Sequence, residues 1–147
     1  MNRFHFRLDS VLRVRVAEET KKKREFGAAL QQVRNARARL HDIEREIADN
    51  DRIAEDLGLG ATNAEKLMLV NRYAEVLEEK KNAQKTVIAR TEEALERKRG
   101  ELVEATRRKK TIERLREHAA EDHARAMRKE EQTVVDELTI QKYQPPE

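Results

Sequence analysis

Apolar side chains recur every seven residues along the first part of the chain. The repeat runs through Phe26, Val33, Leu40, Ile47 and Ala54. Such a repeat keeps an apolar stripe on one helical face only if the helix winds around a partner helix. This stretch is therefore predicted to be one helix of a coiled coil. Two further residues widen its apolar stripe, Leu30 and Ile43.

The second half of the chain repeats the same spacing in two rows. One row contains Ile88, Leu95 and Leu102, and the other contains Leu77, Ala105, Ile112 and Ala119. Three polar residues fall on these rows: Lys81, Lys98 and Lys109. Polar side chains at such positions weaken the pairing of two helices and favour one register over the others.

A short segment of helix-breaking residues separates the two periodic stretches. Gly58 stands where a residue in the left-handed conformation is expected to end the first helix, and Gly60 follows it. Thr62 and Glu65 have the spacing of a capping box, which satisfies free N–H groups at the start of a helix. Asp9 and Ser10 are both suitable N-caps for the first helix.

These signals predict an all-α fold, a two-helix antiparallel coiled-coil hairpin with an overhanging second helix. The single domain over 1–147 is divided into a short N-terminal arm over 1–8, helix one over about 9–57, a turn over 58–62, helix two over about 63–140 and a frayed tail over 141–147. Pairing outward from the turn places residue i opposite residue 119 − i, so that Asp9 faces Lys110. Residues beyond about Thr111 then overhang, and their apolar stripe is predicted to need a protein partner.

Composition favours long helices over a globular core or disorder. Charged residues make up 41% of the chain, aromatic residues only 3%, and Gly (4) and Pro (2) are scarce. The frequent residues are strong helix formers, and disorder would not preserve a seven-residue period. The chain has no cysteine, and no apolar run typical of a signal peptide or a bilayer-spanning helix, so a cytosolic location is expected.

Charge is segregated along the chain, although the net charge is only +3. Residues 1–24 carry eight basic and three acidic side chains, and residues 97–116 carry nine basic and three acidic ones. These segments face each other in the predicted register, so repulsion should make the open end the loosest part of the hairpin. The segregation is typical of a solvated coiled-coil surface. Binding of an acidic partner around the open end is an alternative, and the few aromatic residues argue against nucleic acid.

The sequence contains no pattern typical of catalysis or metal binding. It has no Gly-rich phosphate loop, and a two-helix coil offers no enclosed pocket for a catalytic set. His118 and His123 lie about 140° apart around a helix, so they do not easily share a metal ion. We therefore predict a protein that is not an enzyme, needs no cofactor or metal and has no small-molecule substrate.

The N-terminal arm carries large apolar side chains at alternate positions. The motif reads Phe4-x-Phe6-x-Leu8-x-x-Val11-Leu12-x-x-Arg15. The arm either folds against its own helix or docks onto a partner. We expect docking at least as much as folding back, because neither phenylalanine has a core to reach. With a Glu/Lys-rich helix in a chain of this length, the motif resembles the FliJ family, the small cytosolic coiled-coil components of the bacterial flagellar type III export apparatus. The related stalk proteins of injectisome secretion systems are a close second resemblance.

The resemblance to the FliJ family implies a function as well as a fold. Members fold as an antiparallel coiled coil similar to the γ stalk of rotary F-type ATPases. They bind the hexameric export ATPase through the end that carries both termini, promote its assembly and activity, contact the cytoplasmic domain of the export gate and recycle export chaperones. We therefore expect no nucleic-acid partner, and a cytoplasmic location peripherally at the inner face of the cell membrane, through the export apparatus.

Two sets of residues are candidate partner-binding sites under this resemblance. The export ATPase would bind the open end at Phe4, Phe6, Leu8, Val11, Leu12, Arg13, Arg15, Val134 and Leu138. The export gate would bind near the turn at Leu69, Tyr73 and Leu77, although packing between the helices also explains these three residues. Two other functions remain open: a structural coiled coil that dimerises through residues 112–138, and a basic helical protein that binds RNA.

Overall fold

A computed structural model of the chain describes residues 3–58 and 63–143. Nearly all of these residues belong to two α-helices, α1 over Asp9–Leu57 and α2 over Ala64–Lys142. The helices run antiparallel and pack against each other, and the described residues contain no strand. The predicted all-α helical hairpin is therefore confirmed.

The end of α1 is set by one glycine and one side-chain cap. Gly58 has φ = 60°, the left-handed conformation predicted for it. The Asn63 side-chain Nδ2 donates to the carbonyl oxygen of Leu57 at 2.6 Å and satisfies one of the carbonyl groups left free at the helix end. The predicted cap between Thr62 and Glu65 depends on Thr62, which lies outside the described residues.

Helix α2 is continuous through Gly100, although glycine has a low helix propensity. It ends at Lys142, slightly beyond the predicted end near Ile140. The backbone N–H of Tyr143 still donates to the carbonyl oxygen of Thr139 at 3.1 Å. The last four residues of the predicted frayed tail lie outside the described residues.

Contacts divide the helix pair into two compact units. The turn unit contains residues 21–102, and the terminal unit contains residues up to 20 together with those from 103 onward. Each unit therefore takes one segment of α1 and one segment of α2. The prediction of a single domain stays a prediction.

The core of the turn unit is one seam of small and aliphatic side chains. Its buried apolar members are Ala29, Val33, Ala36, Ile43 and Leu77. Other predicted seam residues are half-buried, among them Leu40, Ile47, Ile88 and Leu95. The seven-residue repeats are therefore confirmed as the interface between the helices.

The core of the terminal unit is smaller and mixes apolar with charged side chains. Phe6 and Ala105 are buried there, and so is the carboxylate-bearing Glu19. Leu12 and Ile112 are half-buried in the same unit. The N-terminal arm thus supplies the largest buried apolar side chain of this unit.

The predicted register holds near the turn, has shifted at the other end of the turn unit, where the numbers of Lys22 and Glu101 sum to 123, and is wrong in the terminal unit. In the turn unit, the Tyr73 hydroxyl lies 3.3 Å from the Glu46 carboxylate, and these two numbers sum to 119 as predicted. In the terminal unit, Lys109 Nζ lies 3.1 Å from the Glu19 carboxylate. The predicted register would place Glu19 opposite Gly100, about 13 Å along the helix from Lys109. A single register extrapolated from the turn is therefore incorrect.

The N-terminal arm also shortens the predicted overhang. The Phe4 ring lies 5.5 Å from the His123 ring, well beyond Thr111, where the overhang was predicted to begin. Asp9 lies between Phe4 and Glu19 in the sequence. Both of these residues contact α2 in the register of the Lys109 ion pair, and not in the register extrapolated from the turn. The predicted pairing of Asp9 with Lys110 is therefore wrong, because the contacts on both sides of Asp9 join residues whose numbers sum to 127 and 128 instead of 119.

We expect Leu77→Ala to lower the free energy of unfolding by about 2–3 kcal/mol, because the substitution leaves a cavity in the seam. Leu77 is 0% exposed, whereas Leu69, on the same helix, is 66% exposed. Leu69→Ala is the matched control and should change stability by less than about 0.5 kcal/mol. Thermal melting followed by circular dichroism measures both, and equal melting temperatures for the two variants would contradict the assignment of the seam.

Candidate partner-binding surfaces

Two buried amides cross the seam of the turn unit and bond to the backbone of the opposite helix. Gln84 Nε2 donates to the carbonyl oxygen of Ala36 at 2.8 Å. Asn50 Nδ2 donates to the carbonyl oxygen of Val70 at 3.1 Å. A slip of either helix would leave a buried amide without a partner, so these bonds favour one register. They explain why the register near the turn agrees with the sequence.

Two lysines and two glutamates form an ion cluster at the edge of the same seam. Lys22 Nζ lies 3.2 Å from the Glu25 carboxylate and 3.1 Å from the Glu101 carboxylate. Lys98 Nζ lies 3.3 Å and 3.4 Å from the same two oxygens. The hydrogen bonds that the two lysines donate lower the pKa of both glutamates, and the bonds that Lys22 donates raise the pKa of Lys22 itself.

The terminal unit contains a comparable ion pair, between Glu19 and Lys109. Glu19 is buried, and its hydrogen bond with Lys109 raises the pKa of the lysine. The sequence predicted repulsion between the two basic segments, but the ion pairs in both units join opposite charges across the helices. Net charge was misleading because two acidic residues of these segments, Glu19 and Glu101, lie at the interface and pair with lysines of the opposite helix.

The structure places most of the N-terminal motif against the protein's own helices. Phe6 is only 8% exposed, so the prediction that neither arm phenylalanine has a core to reach is wrong for this residue. The Phe4 ring lies against His123 with an interplanar angle of 59°. The backbone N–H of Asp9 donates to the carbonyl oxygen of Phe6 at 3.2 Å, which turns the chain into α1. The arm is therefore part of the fold of the terminal unit.

The other predicted ATPase-binding residues of the arm and of α1 are also engaged within the chain. Leu8, Val11 and Leu12 are half-buried. Arg13 forms an ion pair with Asp9 at 3.1 Å, and Arg15 forms one with Glu18 at 3.1 Å. Both pairs join residues on one helix and are partly exposed, so each contributes little to stability and a partner can replace it.

Val134 and Leu138 are the predicted ATPase-binding residues that the structure leaves free of packing. They are 54% and 52% exposed. Every residue from 128 to 143 is exposed, so nothing in the described part of the chain covers this segment of α2. An apolar pair on an uncovered helix is typical of a surface that binds another protein.

A second exposed apolar patch lies on α2 near the turn. It contains Leu69 and Tyr73, both predicted for the export gate, and also Met68 and Val76. Leu77, the third predicted residue, is fully buried against α1, so its assignment to an exposed patch is wrong. The nearby carboxylate of Glu46 raises the pKa of the Tyr73 hydroxyl, which therefore remains a neutral hydrogen-bonding group.

The described residues contain no cluster of His, Asp or Glu able to hold a metal ion. His118 faces Glu121 on its own helix at 4.0 Å, and His123 lies against the Phe4 ring. Across residues 3–58 and 63–143, neither helix includes a stretch long and apolar enough to cross a lipid bilayer.

The fold and these surfaces define a helical-hairpin protein with exposed apolar patches on its second helix. The sequence profile described as "Flagellar FliJ protein" matches residues 4–147, and the chain belongs to the FliJ family. It is accordingly a coiled-coil protein related to type III export, in a family of non-catalytic export components.

A solved structure, that of a YscO homolog from Chlamydia trachomatis, has the same fold. The two chains are 17% identical, the match covers 96% of this chain and 100% of that one, and the TM-score is 0.67. Comparison with curated protein sequences found no significant match. At this level of identity the structural likeness shows the fold alone.

Four polar residues were not assigned to the seam from the sequence, although they continue its seven-residue spacing. Glu19 stands seven residues before Phe26, and Gln84 stands seven after Leu77. The other two missed residues, Lys22 and Asn50, lie on the row that contains Ala29, Ala36 and Ile43. A search for apolar residues alone passes over positions where a polar side chain finds a partner across the seam.

The ion cluster predicts how stability depends on pH. The glutamates have a pKa below the ordinary 4.5, so their contribution is present above that value and lost as pH falls through their folded pKa. Lys22, whose pKa is raised above 10.5, loses its contribution only in strong alkali. Replacing both glutamates by glutamine should lower the melting temperature at neutral pH, and the difference from the unchanged chain should shrink as the pH is lowered past the pKa of the glutamates.

The matched control replaces Glu75 and Glu78 by glutamine. Both are exposed and form no ion pair within the described residues, so the control should follow the unchanged chain across this pH range. A constant difference between the cluster variant and the unchanged chain at every pH would rule out the proposed contribution of charge.

Proposed function

We propose that the chain is a central stalk-like partner of the hexameric export ATPase in the flagellar export apparatus, and that it promotes the assembly and activity of the ATPase without catalysis of its own. Membership of the FliJ family supports this proposal. The observation that carries it is the uncovered apolar pair Val134 and Leu138 on the C-terminal segment of α2. These side chains can enter an interface without any contact in the fold being broken.

The structure changes which residues are best suited to touch the ATPase. Phe6 stabilises the terminal unit from inside, so its removal would affect partner binding only through the fold. Val134 and Leu138 form the direct contact in the proposal, with Arg13 and Arg15 available at the surface of α1. Phe4, Leu8, Val11 and Leu12 hold the arm and the start of α1 in place.

Serine at both Val134 and Leu138 should weaken binding to the cognate export ATPase by about tenfold or more, because two apolar contacts are lost from the interface. Pull-down and stimulation of ATP hydrolysis measure the effect. The matched control carries serine at Val103 and Leu115, which are 45% and 46% exposed on the same helix. If both double variants bind and stimulate equally well, Val134 and Leu138 do not form the ATPase contact.

We further propose that the exposed patch near the turn contacts the cytoplasmic domain of the export gate. Leu69 and Tyr73 supply apolar surface, and the Tyr73 hydroxyl supplies a hydrogen-bonding group close to Glu46. This combination of an apolar body and a polar tip is typical of residues at the centre of protein interfaces. Export chaperones are further proposed partners, and the location is cytoplasmic and peripheral at the membrane through the apparatus.

Alanine at both Leu69 and Tyr73 should reduce binding to the gate domain and leave ATPase binding unchanged, because the two surfaces use different side chains. The control carries alanine at Leu115 and Tyr143, which are also an exposed leucine and tyrosine. Titration of labelled protein with the purified gate domain measures the affinity. Equal affinities for the two variants would remove the patch near the turn from the proposal.

The uncovered stripe also favours one other candidate function, a structural homodimer. A second copy could cover the same apolar pair on α2. Sedimentation equilibrium of the unchanged chain distinguishes the two: the stalk proposal expects a monomer, whereas a tight dimer that dissociates when Val134 and Leu138 become serine would support the structural role.

A further inference from the structure

The apolar stripe on the C-terminal part of α2 continues the face on which the N-terminal arm packs. Ile112, His123 and Val134 are spaced by eleven residues, which is three turns of an undistorted α-helix, so they share one face. Met127 and Leu138 have the same spacing beside them. Phe4 covers His123, whereas Val134 and Leu138, one repeat further along, are uncovered.

Three glutamates border this uncovered stripe. At 100° per residue, Glu130 and Glu137 lie about 40° and about 60° to one side of Val134, and Glu131 lies about 60° to the other side. All three are exposed, and none has an ion-pair partner within the described residues. The stripe is an apolar surface with these unpaired glutamates on both sides. Such a surface is complementary to an amphipathic helix that carries basic side chains on either side of its own apolar stripe.

We propose that residues 127–141 bind a partner helix that places an apolar stripe on Val134 and Leu138 and carries lysine or arginine beside Glu130, Glu131 and Glu137. The inference builds on the proposed function, since this is the surface assigned there to the export ATPase, and it adds the chemistry of the partner element. The N-terminal arm packs on α2 as far as His123, and the partner helix would pack on the next part of the same face of α2.

Two synthetic amphipathic helices test the proposal against the full chain by fluorescence anisotropy. They share the same apolar positions, and one carries lysine and the other glutamate at every flanking position. The lysine peptide should bind at least about tenfold more tightly than the glutamate peptide, and its affinity should fall as salt is added. Failure of both peptides to bind, or equal binding of the two, would overturn the proposal.

Variants of the chain connect binding to the stripe. Serine at Val134 and Leu138 should abolish binding of the lysine peptide, while serine at Val103 and Leu115 should leave it unchanged. Lysine at the three glutamates should reverse the preference in favour of the glutamate peptide. The charge control carries lysine at the exposed Glu75, Glu78 and Glu79. An unchanged preference after reversal at the stripe, or a dimer of the free chain held by Val134 and Leu138, would overturn the proposal.

The ATPase pull-down separates this inference from the proposed function. If charge reversal at the stripe leaves ATPase binding unchanged while serine at Val134 and Leu138 abolishes it, the basic partner helix is wrong and the ATPase contact stands. If the peptides follow the expected pattern but the ATPase is not retained, the surface has the chemistry inferred here and the ATPase is not its partner.

Discussion

The structure depends on a narrow seam between two helices, in which the buried polar side chains Glu19, Asn50 and Gln84 each have a partner on the opposite helix. Two helices cannot enclose a broad core, so few side chains are fully buried, and Leu77 and Val33 are the largest of them. In the turn unit, amide side chains such as Gln84 reach the opposite backbone, and lysines at the seam meet glutamates. Because an unsatisfied buried polar group is costly, these pairs determine which residues of the helices can face each other.

Because the seam is narrow, some apolar residues pack between the helices and others stay exposed, where they can bind a partner. In the terminal unit, Phe6 and Glu19 are taken up by the fold, and the Phe4 ring lies on His123. On α2, Val134 and Leu138 have no counterpart on α1. Near the turn, Leu69 and Tyr73 stay exposed, whereas the seam buries Leu77. On such a fold, the candidate binding surfaces are therefore the exposed apolar residues that lie outside the interface between the helices.

The seven-residue repeats and the glycine at the end of α1 were sufficient to predict the hairpin, because both are local signals with a direct geometric meaning. The position of Gly58 was likewise predicted correctly. The pairing in the terminal unit could not be predicted, since a register extrapolated from the turn ignores where Glu19 meets Lys109. The burial of Phe6 could not be predicted for a related reason: the terminal unit that buries this residue includes a segment of α2 that lies far from it along the chain.

The most direct test of this account is carbodiimide cross-linking of the full chain followed by mass spectrometry, because the reagent joins a lysine to a carboxylate only where they touch. We expect a link between Glu19 and Lys109 in the terminal unit, and links from Lys22 and Lys98 to Glu101 and Glu25 in the turn unit. A chain that links Glu19 to Lys98, and not to Lys109, would contradict the paired seam on which the rest of the structure depends.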